Sequence, residues 1–132
     1  MRAEGRDAAF AVILSRAPRV LLVQKADGRW GLPGGGIRRG ESPREAVLRE
    51  LEEETGFRAR KASLVGSLPR SGRRAFVFVL PKRRLRGRLV GRTKEILRQL
   101  WVTPSRARRL LTNGNALRLS LALPHALRLV GR

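Results

Sequence analysis

The chain has 132 residues, one domain's worth, and no cysteine, which excludes a disulfide framework, a thiolate zinc site and a cysteine nucleophile. Its single histidine, His125, lies among leucine and alanine near the C-terminus, so Ser-His-Asp and histidine-rich metal schemes lack their parts. A formal charge of +20 favours any polyphosphate ligand through long-range steering and admits RNA as a partner, although the arginines are spread through every segment instead of forming one stripe, and aromatic residues for stacking are few.

Ala8–Leu14 and Val20–Lys25 are short, apolar, β-favouring runs separated by Ser15–Arg19, with Pro18 in the turn, a pattern that predicts a hairpin. No run reaches the roughly 18 apolar residues a transmembrane helix needs, so a soluble, cytoplasmic protein without a membrane partner is expected. Asp27-Gly28 opens a loop that runs into Trp30-Gly31-Leu32-Pro33-Gly34-Gly35-Gly36, where glycines and a proline forbid an ordinary helix and permit positive-φ backbone. A helix is predicted from Pro43 to Thr55: Ser42 caps it, Pro43 takes the first position, Glu45 completes a capping box and Gly56 suits the left-handed stop.

Further strands are predicted at Ala62–Leu68, Ala75–Leu80, Arg86–Val90 and Ile96–Val102, with turns at Pro69 to Arg74 and Pro81 to Arg84. Pro104 starts a short helix through Leu111, and Asn115 precedes an apolar, helix-favouring run that Pro124 interrupts. Strands around a central helix with helices at the end predict one α/β domain, a sandwich built on a mixed sheet.

Six of the ten acidic residues, Glu41, Glu45, Glu50, Glu52, Glu53 and Glu54, fall within fourteen positions of a chain otherwise rich in arginine. Spacings of three and four place Glu50, Glu53 and Glu54 on one helix face, where like charges repel by a few tenths of a kcal/mol per pair. Three converging oxygen donors suit a hard cation such as Mg²⁺ or Mn²⁺, which would turn that repulsion into binding. Glutamate-rich helix surfaces also arise simply because glutamate favours helices and solvates well. The glycine-rich segment before the helix weighs against that reading, because its N–H groups can approach phosphate oxygens beside a metal held by the glutamates.

Gly35, five residues, Glu41, seven residues, then Arg49-Glu50-Leu51-Glu52-Glu53-Glu54-Thr55-Gly56-Phe57 resembles a complete Nudix box. Seven fixed positions at about one in fifteen each put an accidental match on the order of one in 10⁸ per starting point. The resemblance implies the family's α/β/α sandwich around a mixed sheet and hydrolysis of a nucleoside diphosphate linked to a further group X. It implies Glu50, Glu53 and Glu54 as metal ligands, with either Glu50 or Glu53 taking a proton from water. It further implies Arg49 orienting the carboxylates, Glu41 contributing through a water, and Gly34, Gly35 and Gly36 admitting substrate close to the backbone.

Downstream, Lys94-Glu95, five residues and Trp101 resemble the stretch that supplies one more carboxylate in the MutT-like, nucleotide-sanitising branch, which implies Glu95 as a further metal ligand. A lone glutamate on a basic strand also has the plainer role of an ion pair. Asn115 resembles the asparagine with which that branch reads a purine edge, and asparagine is equally a common helix cap. The substrate put first is a (d)NTP such as oxidised dGTP. Removal of pyrophosphate from an RNA 5′ end is the alternative, and a Nudix module that binds ligand or nucleic acid without turnover is an alternative of another class.

Overall fold

The computed structural model describes residues 6–131. Strand β1 (Ala8–Leu14) is fully buried and organises the sheet. It pairs parallel with β6 (Arg73–Pro81) along its whole length, and β6 pairs antiparallel with β5 (Ser63–Arg70). On its other side β1 meets β2 (Val20–Lys25) only at Leu14–Val20, after which the two strands diverge. The short strand β4 (Gly34–Gly36) fills the opening by pairing with Ala8, Ala9 and Phe10, and Ala11 donates to the Pro33 carbonyl beside it. Strand β2 continues the sheet to β3 (Trp30–Gly31) and β7 (Ile96–Val102). The glycine segment thus sits in a fork of the sheet.

Alternate side chains of β1 feed two cores, as the two-residue period of a strand requires. Ala9, Ala11 and Ile13 face α1 (Pro43–Thr55) with Val47 and Leu51, while Phe10, Val12 and Leu14 face α2 (Pro104–Leu110) and α3 (Asn113–Val130) with Ala107, Leu119 and Ala126. One helix on one face of a mixed sheet and two on the other is the expected α/β/α sandwich. Both caps of α1 form as the sequence dictates: Ser42 accepts from the Glu45 N–H, the Glu45 carboxylate accepts from the Ser42 N–H, and Gly56 ends the helix at φ 88°.

Four expectations are corrected. Arg86–Val90 forms no strand: Arg86 exchanges two backbone bonds with Arg58, and positive φ at Gly87 and Gly91 turns the chain away from any ladder. The turn expected over Pro69 to Arg74 contracts to Ser71-Gly72, both at positive φ, so Pro69 lies inside β5, an edge strand where its missing N–H costs no ladder bond. Pro124 does not interrupt the last helix but lies within it, because Leu123, Ala126 and Val130 on either side are buried. Asn115 does not precede that helix; it lies in the first turn, behind Thr112 at the cap position.

Candidate active site

The capping box and the Gly56 stop fix where α1 begins and ends, and its buried Val47 and Leu51 fix its rotation on the sheet. That rotation turns Glu50 and Glu54 toward the β4 glycines. Glu54 is only 4% exposed; its carboxylate accepts from the Gly34 N–H at 3.0 Å and lies 3.5 Å from the Lys25 ammonium. The Glu50 carboxylate is beside it. Burial pushes the Glu54 carboxyl up to about 8, the neighbouring Glu50 pushes the same way, and Lys25 and the Gly34 N–H oppose both.

The glycines explain how the carboxylates reach the backbone. A Cβ at Gly35 would lie 2.9 Å from the Glu50 carboxyl carbon, and at Gly34, where φ is 151°, it would meet the Ala9 carbonyl oxygen at 2.2 Å. Neither position accepts a side chain without moving its neighbours. Gly36 contributes its carbonyl, which accepts from Arg49 at 3.1 Å.

Arg49 ties the remaining acids together. Its guanidinium donates twice to Glu41, at 2.6 and 3.0 Å, and one nitrogen also donates to Glu50 at 2.8 Å and to Glu53 at 3.2 Å. This fork holds the Glu41 carboxyl below the usual carboxylate range, and the same bonds raise the already high Arg49 pKa. Glu53 is half exposed and also lies 3.7 Å from Arg38. Glu52 points outward into solvent.

The donor set is carboxylate oxygen throughout, with Glu50 and Glu54 in contact and Glu53 one turn away, which fits a hard divalent cation. Among the described residues no three such side chains are gathered into a tight ligand cluster. Arg49 links Glu53 to Glu50 through one nitrogen, while Glu53 also faces Arg38 on its exposed side.

Among the described residues, neither downstream candidate hydrogen-bonds or pairs with these carboxylates, though each lies near Lys25. Glu95 is exposed at the entrance to β7, and its carbonyl accepts from the Ala26 N–H next to Lys25. Asn115 lies against Gly31, its side-chain amide nitrogen 3.1 Å from where a Cβ would be and the Lys25 Cε 3.8 Å from the same point, and its Oδ1 accepts from Arg118 at 2.8 Å. Arg118 stacks 4.3 Å over the Phe10 ring and is half buried, which lowers its pKa. Lys25 and Arg118 were not foreseen in the sequence. A lysine among thirty basic residues gives no signal, and Arg118 follows Asn115 by three positions only once the helix is known.

A mixed-sheet α/β/α sandwich with a glutamate-bearing helix docked on a glycine fork defines a class of phosphate-directed, metal-competent proteins. The NUDIX domain family model matches residues 5–122, and the chain belongs to the Nudix family. A MutT NUDIX hydrolase structure from Burkholderia pseudomallei superposes with a TM-score of 0.70 at 26% identity, over 88% of this chain and 96% of that one. A Bacillus subtilis protein provisionally named 8-oxo-dGTP diphosphatase is 42% identical over 59 residues, 44% of this chain and 40% of that protein. An RNA pyrophosphohydrolase of Erythrobacter litoralis is 40% identical over 68 residues, 48% of this chain and 42% of that protein. The matched segments span about two fifths of these curated relatives.

Proposed function

We propose that the chain is a divalent-metal-dependent pyrophosphohydrolase that cleaves a nucleoside diphosphate linked to X, with nucleoside triphosphates as the first substrate class. The observation that supports it most is the Glu50–Glu54 carboxylate pair seated against the Gly34 N–H and the bare Cα of Gly35, with Arg49 bracing Glu50, Glu53 and Glu41. A binding module that performs no chemistry gains nothing from packing self-repelling carboxylates against one another.

Glu50, Glu53 and Glu54 would hold Mg²⁺ or Mn²⁺, with Glu95 as a further ligand from the β7 entrance. The cation supplies neutralisation of phosphoryl charge and a lowered pKa for the attacking water. Arg49 keeps the carboxylates oriented, and because it is only 17% exposed its bonds are poorly screened. Either Glu50 or Glu53 takes the proton as water adds to phosphorus, and a diphosphate or phosphate-linked group leaves. Gly34–Gly36 would let the polyphosphate come close to the β4 backbone beside Glu50, and Lys25 would offer it a cation near the same edge. Asn115, with Arg118 bonded to it, would read the base beside Gly31 and Lys25. For a triphosphate the products are a nucleoside monophosphate and pyrophosphate.

Oxidised dGTP is the leading nucleotide within this class, supported by the Bacillus subtilis relative and the position of Asn115. Pyrophosphate removal from an RNA 5′ end is the second reading, supported by the Erythrobacter litoralis relative and the +20 charge. The test is release of phosphate or pyrophosphate from canonical and oxidised nucleoside triphosphates, ADP-ribose, dinucleoside polyphosphates and triphosphorylated RNA, with Mg²⁺ and with EDTA. Chelator-sensitive release is expected, and its ranking identifies X. Glu53→Gln and Glu50→Gln are each expected to lower turnover, the larger loss, on the order of 10²–10⁴, marking the proton acceptor. Full turnover in EDTA would refute the metal-dependent reading.

A further inference from the structure

Three surface depressions adjoin one another on the side of the molecule that begins at the outer face of α1. The first, about 530 Å³, is lined by Leu48, Arg49 and Glu52 of the helix and by Arg58, Arg60 and Arg86. Arg60 and Arg86 also line the second, about 410 Å³, with Lys61, Arg83 and Arg84. Arg83 passes the surface on to the third, about 630 Å³, where Arg16, Arg19 and Lys82 rim an apolar floor that includes Leu14, Leu85 and Trp101.

The shared residues make these depressions one track. Among the described residues, Glu52 is the only acidic side chain lining them. Arg58, Arg60, Lys61, Lys82 and Arg86 are exposed, and among the described residues none of them is in an ion pair. Arginines that look scattered in the sequence come from the α1–β5 loop, the β6–β7 connection and the β1–β2 turn to stand along a single path. Cleavage of a free nucleotide uses none of them.

We propose that this track binds the backbone of single-stranded RNA. Unpaired guanidinium groups in series match the repeating phosphates of a nucleic acid strand. Each depression falls within the roughly 300–1,000 Å³ of pockets that enclose small ligands, room for a splayed nucleotide. Trp101 lies at the far end with the Lys82 ammonium 5.0 Å over its ring, so a base would stack there as Lys82 turns to the adjoining phosphate. At the near end Arg49 lines the track, and its guanidinium touches Glu41, Glu50 and Glu53, so a strand lying there ends beside the carboxylates. The proposal rests on the pyrophosphohydrolase reading only for the fate of the 5′ end.

Fluorescence anisotropy of a labelled single-stranded RNA of about a dozen nucleotides, titrated in EDTA across a range of salt, separates binding from turnover. Arg60→Glu/Lys61→Glu/Arg86→Glu is expected to weaken binding about tenfold or more and to reduce the slope of log Kd against log salt by roughly 2. Arg106→Glu/Arg108→Glu/Arg109→Glu removes the same charge from the exposed face of α2 and is expected to keep affinity within about twofold. Arg16→Glu/Lys82→Glu tests the far end independently, should the first variant not fold. No binding by the unaltered protein, equal loss in the track and α2 variants, or equally tight binding of a duplex would overturn the proposal. Because the titration contains chelator, failure of the hydrolase reading would show instead as RNA binding intact with no metal-dependent release from any substrate.

Discussion

At Gly35 the backbone conformation is ordinary, yet a Cβ would stand 2.9 Å from the Glu50 carboxyl carbon and 3.0 Å from one of its oxygens. Gly35→Ala must therefore displace the carboxylate and leave the fold in place. A displacement near 1 Å costs on the order of 10²-fold in rate, so steady-state hydrolysis is expected to fall by about that factor while the thermal midpoint moves little. Glu54 makes a pH prediction. Its folded-state pKa of about 8 lies above the ordinary glutamate value of 4.5, so between those values the folded protein holds a proton that the unfolded chain has released. Stability from this group is complete below about 4.5, declines as pH rises through 8 and is flat beyond. Thermal melts in EDTA should thus show a steeper decline with pH for the unaltered protein than for Glu54→Gln. Equal slopes would mean that Glu54 is ionised when buried.

The element on which the site depends is α1. Loss of the capping bond in Ser42→Ala is expected to cost about 1 kcal/mol in denaturant unfolding. Gly56→Ala is expected to cost more than the about 1 kcal/mol of an ordinary glycine replacement, because φ is 88° and the new methyl would meet Val90 Cγ1 at 2.4 Å and the Arg88 carbonyl oxygen at 2.7 Å. Those contacts also explain Arg86–Val90, expected as a strand. The segment packs against the end of α1, where Val90 donates to the Thr55 carbonyl, and not into a ladder. The cap, proline and glycine signals of α1 were legible because they act between residues a few positions apart. Pro124 was misread because its local penalty, about 3 kcal/mol in a helix interior, was weighed without the burial of Leu123, Ala126 and Val130 that outweighs it.

Across the whole molecule, charge is divided by structure. Acidic groups concentrate in residues 41–54 of a chain whose net charge is +20, so under the proposed function the field of the whole molecule would attract a polyanionic substrate from a distance. The specificity constant for a nucleoside triphosphate is expected to fall as ionic strength rises, mainly through association, while turnover at saturation changes little. Stopped-flow binding and steady-state rates over a salt series would check this, and a salt-independent specificity constant would mean that the +20 charge does not steer the substrate.

The sequence by itself determined the boundaries of α1, the two opening strands, the spacing of Glu50, Glu53 and Glu54, and the family to which they belong. Each rests on interactions between residues close along the chain or on a fixed pattern of residue types. Only the tertiary structure decided that β1 and β2 diverge to admit the glycine strand, that Glu54 is buried beside Lys25 while Glu53 turns out to Arg38, and that Asn115 lies against Gly31. It also decided that dispersed arginines form one track. These are contacts between segments tens of residues apart, set by how the sheet twists and the helices pack, and no local period in the chain encodes them.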